Sequence, residues 1–187
     1  AVRFGILLAE EFRAKLFLCH VVPFPTVPIT SVGAALPVDY LDEVTDFANQ
    51  ELATLVGSHD IEWEPLVATG AVSDTISALV AEHQIDLVVA ATHGRTGIKR
   101  LFLGSVTEQL LRTADRPLMV VTPPADLSSM KAPMPPFKRI LAGCDFSRDS
   151  ESALVYALSL SQEFQSELHL VHVVEPIVYR DVLLSTS

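Results

Sequence analysis

Positive charge is scarce in this sequence. Thirteen lysines and arginines stand against 23 aspartates and glutamates, a formal net charge of −10, which repels nucleic acid and anionic membrane surfaces alike. Long apolar runs are lacking too. None reaches the roughly 18 residues that a membrane-spanning helix needs, and AVRFGILLAEEF at the start sets charges among apolar residues at helical spacing, unlike the solid apolar core of a signal peptide. No initiator Met precedes Ala1, which predicts a start that is processed or cut. Cysteine is limited to Cys19 and Cys144. Both stand in strand-like runs, where Cys is commonly a small buried hydrophobe, so a reduced, cytoplasmic setting without a disulfide is expected.

What is present is apolar residue in strong patterns. Hydrophobic residues make up 49% and charged residues 19% of the chain, the balance of a globular protein. Residues 1–13 show the spacing of an amphipathic helix, with Val2, Ile6, Ala9 and Phe12 or Arg13 near one another. Leu16–Val22 is a strand closed by Pro23, and a Pro-containing loop follows. Asp39 is placed to cap a helix to about Val56, with Leu41, Val44, Phe47, Ala48, Leu52 and Leu55 as its apolar stripe. Ile61–Thr69 reads as a strand punctuated by Gly70, and Ser73 or Asp74 begins a helix that runs through His83.

The stretch from Ile85 to Val121 is the most informative. Asp86–Ala91 is a short β-branched run of the kind found when both faces of a parallel strand are covered. A loop with Gly94, Gly97, Arg95, Lys99 and Arg100 follows. Gly104 and Ser105 open a helix with Val106, Leu110 and Leu111 expected on one face and Glu108, Gln109 and Arg112 on the other. Pro117 ends it, and Leu118–Val121 is the next strand. A glycine loop that enters a helix after a parallel strand can hold an anion, because free N–H groups and the helix dipole point at one spot.

Strands that alternate with helices imply a parallel sheet with helices on both faces. Residues 123–136 are a Pro-rich linker and a domain boundary. Beyond it come a strand at Lys138–Asp145, a helix capped by Ser147 to about Gln165, with Glu151 giving only a loose capping box, and a strand at Glu167–Val174. Shifted by 152 residues, Ala1–Val22 lies over Ala153–Val174 with nine identities in 22 positions and no gap, among them His20/His172. The sequence therefore reads as a tandem repeat: residues 1–122 are repeat one without its first strand, and 137–187 are the strand–helix–strand start of repeat two. Such a remnant cannot bury its own sheet faces.

FKRILAGCDFSRDSESAL, LFLCHVVPF, LHLVHVVEP and ATHGRTGIKRLFLGSVTE followed by RPLMVV together resemble the universal stress proteins. The resemblance implies a five-stranded parallel open sheet sandwiched by helices, strand order 3-2-1-4-5, Rossmann-like and adenine nucleotide alpha hydrolase-like. It also implies homodimers through the last strand, here Leu118–Val121, or pairing with a second repeat. The nucleotide-binding branch carries G-x2-G-x9-G-[S/T], which falls here on Ala91, Gly94, Gly104 and Ser105, with alanine in place of the first glycine. The ligand so implied is ATP, with or without Mg2+. The loop of Gly94, Arg95, Thr96 and Gly97, with the N–H groups of Ser105, Val106 and Thr107, would hold the phosphates, and Thr92 and His93 adjoin it in the nucleotide site. Val21, set just after the second strand, would meet the adenine. Asp145 would pair with the ribose hydroxyls and Gly143 would line the base.

Bland readings stand beside these. Asp145 serves equally as a helix cap. His20 and His172 lack Cys or His partners at ligand spacing, which favours strand histidines bonded to backbone over metal ligands. No nucleophile–base pair or carboxylate pair is present, so no catalytic residue is assigned and slow ATP hydrolysis is the most that is expected. An adenylyl-transferring enzyme would need a base or metal carboxylates near Gly94, and the sequence offers none. The function expected is an adenine-nucleotide-binding regulatory or sensing module of the stress response, and the rival is an interaction module of the same fold that binds no nucleotide.

Overall fold

The computed structural model describes residues 1–24, 40–92, 104–122 and 137–174. The chain divides into two compact units, Ala1–Lys131 and Ala132–Ser187. The first contains α1 (Val2–Phe12), β1 (Leu16–Val22), α2 (Tyr40–Val56), β2 (Trp63–Thr69), α3 (Val72–Glu82), β3 (Val88–Ala91), α4 (Ser105–Thr113) and β4 (Leu118–Val121). The second contains β5 (Arg139–Gly143), α5 (Arg148–Glu163) and β6 (Glu167–Val171). The alternation of helix and strand is the one that hydrophobic period and punctuation predict. The Pro-containing loop, Asp39 and the Pro-rich linker lie outside the described residues.

Among the described residues all strand pairing is parallel. β1 pairs with β2 from Leu16 opposite Trp63 to Val22 opposite Thr69. β3 pairs with β4 from Val88 opposite Leu118 to Ala91 opposite Val121. β5 pairs with β6 from Arg139 opposite Glu167 to Gly143 opposite Val171. The described strands thus form three two-stranded sheets, where one five-stranded sheet was expected. In the expected order the first unit's two pairs are the outer pairs, and the described residues of that unit supply no central strand to join them. Helix α1 packs against both β1 and β3.

Burial corrects the details of each helix. On α2 the buried line is Ala48, Leu52 and Val56, at the i, i+4 spacing of one helical face. Leu41, Phe47 and Leu55, expected in the stripe, are exposed. Leu18 joins Leu52 and Val56 in the core, with Val2, Leu16, Ile61, Trp63 and Val67 packed around them. On α1 the buried residues are Gly5, Ile6, Leu8 and Ala9, while Phe12 is exposed. Gly5 lies close to β1: a Cβ there would stand 3.1 Å from Leu16 Cδ1. Cys19, expected to be buried, is exposed, and both thiols are free.

In the second unit, Ser147 caps α5 as expected by accepting a hydrogen bond from the Ser150 N–H at 3.2 Å. β6 stops at Val171, short of the expected Val174. Leu141, Leu170 and Val171 are exposed. Arg13 and Gln165, which coincide under the 152-residue shift, both hold φ 50°. Ala14 N–H to Ala9 carbonyl and Ser166 N–H to Ser161 carbonyl coincide under the same shift.

Leu52→Ala should lower stability by about 2–5 kcal/mol, whereas Phe47→Ala on the exposed flank should stay within about 0.5 kcal/mol. Urea denaturation followed by tryptophan fluorescence measures both. Equal costs would refute the assignment of the buried face.

Candidate functional site

The C-terminal end of β3 is tied to the start of α4 by two short contacts. The Gly104 N–H donates to the Thr92 carbonyl at 2.8 Å, and the Thr107 hydroxyl donates to the Ala91 carbonyl at 2.9 Å. The Thr92 N–H in turn continues the ladder to the Val121 carbonyl at 3.0 Å. Gly104 is the N-cap residue, with extended φ −61° and ψ 145°, a conformation open to any residue. Its glycine answers to space: a Cβ would stand 3.1 Å from the Thr92 carbonyl oxygen.

The N-cap residue of α4, Gly104, provides no side-chain cap. Its first helical bond runs from the Glu108 N–H to the Gly104 carbonyl, so the N–H groups of Ser105, Val106 and Thr107 have no helical acceptor. They sum with the helix dipole to a site of positive potential at the end of a parallel strand. Ser105 is exposed there, and Thr107 is buried.

The start of α3 lies alongside. Ala71, Val72, Ser73, Asp74, Ser105, Val106 and Gln109 line a cavity of about 250 Å³. The Gln109 side-chain amide donates to the Asp74 carboxylate across 3.4 Å. The sequence reading took Ser73 and Asp74 only as a helix start and did not connect them to α4. The signal it passed over is the missing cap at Ala71.

The structure brings Ala91, Thr92, Gly104, Ser105, Val106 and Thr107 together at one end of β3. Val21 is inside β1, not past its end, and is buried. His93, Gly94, Arg95, Thr96 and Gly97, with Lys99 and Arg100, lie outside the described residues. Gly143, at the end of β5, has no atom within 4 Å of an added Cβ. It lies with Asp145 in the second unit. On α4, Leu110 and Thr107 are the buried pair and Leu111, expected on the inner face, is exposed.

Asp145 has a local role. Its carboxylate accepts from the Ser147 N–H at 2.9 Å, and hydrogen bonds from Ser147 and then Ser150 hold its carboxyl down to about 2. The His172 ring nitrogen Nδ1 lies 2.6 Å from the Cys144 carbonyl, the backbone-bonded arrangement expected of it, and the ring packs at a tilt against Phe146.

Because the folded carboxyl titrates below its ordinary 3.8, the Asp145 contribution is full above that value and is lost as pH falls through about 2. Carboxyl NMR should give Asp145 a midpoint near 2 in the wild type and one shifted back upward in Ser147→Ala. A wild-type midpoint near 3.8 would remove this cap from the account.

The comparisons with known proteins agree with one another. The profile of the Universal stress protein family matches residues 1–122 and 136–185. Universal stress protein MJ0531 of Methanocaldococcus jannaschii is 29% identical over 128 residues, covering 66% of this chain and 74% of that protein. Universal stress protein YxiE of Bacillus subtilis is 25% identical over 126 residues, 63% and 85% of the two chains. Among solved structures, a universal stress protein from Archaeoglobus fulgidus superposes with a TM-score of 0.65 at 21% identity, over 96% of this chain and 63% of that one. Hypothetical protein MJ0577 gives 0.52 at 19%, over 65% and 88%. These two likenesses support the α/β fold.

Proposed function

Since the chain belongs to the universal stress protein family, we propose that it binds an adenine nucleotide, ATP by preference, as a regulatory module of a stress response. The observation that carries the reading is the uncapped start of α4, held against the end of β3 by the Gly104–Thr92 contact. The residues present fit the group: three N–H groups with no helical acceptor lie where Gly104 and Ser105 meet the family spacing, and the N-cap residue, a glycine, has no side chain to compete for them. When bound, the nucleotide's phosphates would supply the negative charge that this helix start lacks. Thr92 and Ala91 form the floor of the site, through carbonyls already engaged by α4. Gly94 and Gly97 with the intervening residues belong to the same proposed site.

The sheet of the family, order 3-2-1-4-5, belongs to this reading, and strand polarity supports it. In a parallel strand, alternate residues bond to opposite neighbours. Leu16 donates to the Glu62 carbonyl and Val22 accepts from Gly70, so the even-numbered residues of β1 face β2, and Phe17, Cys19 and Val21 face away. On β6, Glu167 donates to the Lys138 carbonyl and Val171 accepts from Cys144. Under the 152-residue shift, Glu167, His169 and Val171 become Lys15, Phe17 and Cys19. The edge of β1 turned away from β2 is therefore the edge by which the equivalent strand β6 takes β5, a first strand ending toward an aspartate. Tandem repeats and dimers through β4 follow from the same family reading.

Equilibrium binding of labelled ATP tests the proposal. The whole chain should bind saturably, and Gly104→Val, which drives a branched side chain onto the Thr92 carbonyl, should weaken binding at least about tenfold, equivalent to about 1.4 kcal/mol. No saturable binding by the wild type would defeat the proposal and leave the rival interaction module, which Ala91 at the first motif position favours.

A further inference from the structure

We propose that the cavity between the first turns of α3 and α4 is a subsite for the outermost phosphate of the nucleotide, and so sets the preference for triphosphate over monophosphate. This rests on the reading just given and adds α3 to it.

Two independent observations meet in this cavity. The first is a second uncapped helix start. Ala71, the N-cap of α3, is extended and offers no side-chain acceptor. The first helical bond is from Thr75 N–H to the Ala71 carbonyl, so the N–H groups of Val72, Ser73 and Asp74 lack helical acceptors as those of α4 do. Alanine is among the poorest N-cap residues, which leaves these donors for another acceptor.

The second observation is Ser73 itself. It is 6% exposed, it lines the cavity, and its hydroxyl has no hydrogen-bond partner among the described residues. Buried hydroxyls are nearly always paired, because an unpaired one forfeits its hydration without return. A donor buried beside unpaired N–H groups calls for an acceptor, and phosphate oxygens are acceptors only.

Size and charge narrow the occupant. Pockets that enclose whole small-molecule ligands run to about 300–1,000 Å³, so a cavity of about 250 Å³ suits a phosphate group with water better than a whole nucleotide. Asp74 stands exposed at the rim, engaged by Gln109. Its charge opposes a free phosphate ion arriving alone. A phosphate tethered to a nucleotide already seated on α4 arrives at high effective concentration and overcomes that opposition.

Calorimetric titration of the full chain with ATP and with AMP provides the test. Ser73→Ala removes one donor and should weaken ATP binding about three- to tenfold while leaving AMP within about twofold. Val72→Pro removes another donor where proline is well accommodated, at the first helical position after a residue already extended as a pre-proline residue must be. It should give the same split, so the inference survives a folding failure of either variant alone. Equal losses for ATP and AMP, or no loss of ATP affinity in a folded variant, would overturn it while the nucleotide reading stood. A wild type that binds neither nucleotide would overturn both.

Discussion

The hydrogen bond from the Gly104 N–H to the Thr92 carbonyl fixes where α4 begins, and the candidate site depends on that position. The bond is short because Gly104 has no side chain; a methyl group would already be crowded at 3.1 Å from the same oxygen. One turn later the Thr107 hydroxyl closes a second link to the Ala91 carbonyl. Each bond contributes about 1 kcal/mol net. Their larger effect is geometric, since two anchors on successive carbonyls determine both the height and the rotation of the first turn. The three N–H groups of that turn are thereby held at the end of a parallel strand.

Thr107 also shows why the face of α4 was only partly legible in the sequence. Apolar spacing placed Val106, Leu110 and Leu111 inward, yet the helix turns so that Thr107 and Leu110 are buried and Leu111 is exposed. A polar residue can occupy a buried position when its hydroxyl is satisfied, here by a carbonyl of another element that no local pattern reveals. The same limit applies on α2, where Leu41, Phe47 and Leu55 match a helical stripe as well as the buried residues do. Only the contact with Leu18 on β1 decides which flank faces the core. The succession of elements was readable because it rests on local periods and on Gly and Pro punctuation. Sheet pairing came only from the resemblance, whose order contains the observed pairs β1–β2 and β3–β4, since no local period specifies which strands lie side by side.

Asp145 marks the boundary of the site reading. Sequence resemblance gives it a ribose, and the structure gives it the Ser147 N–H. The local role fully explains its depressed carboxyl, so that shift carries no argument for a ligand. His172 behaves alike: its bond to the Cys144 carbonyl and its tilted contact with Phe146 give a histidine just past the strand end a local role.

The three helix starts that follow strands β2, β3 and β5 therefore differ in kind. α5 is closed by its own sequence, with Ser147 accepting from Ser150 and Asp145 accepting from Ser147. α3 and α4 have Ala71 and Gly104 at the same position and no side-chain cap. A capping side chain at an otherwise uncapped start commonly contributes about 1 kcal/mol, and serine, threonine, asparagine or aspartate at Ala71 would supply it. Helices selected for stability alone would be expected to resemble α5. The two that forgo the cap open onto one cavity, and the buried hydroxyl of Ser73 lies in its wall. Donors without helical acceptors, gathered from separate elements into one place, are costly to a fold and useful to a ligand, and on the proposed reading their acceptor is a nucleotide phosphate.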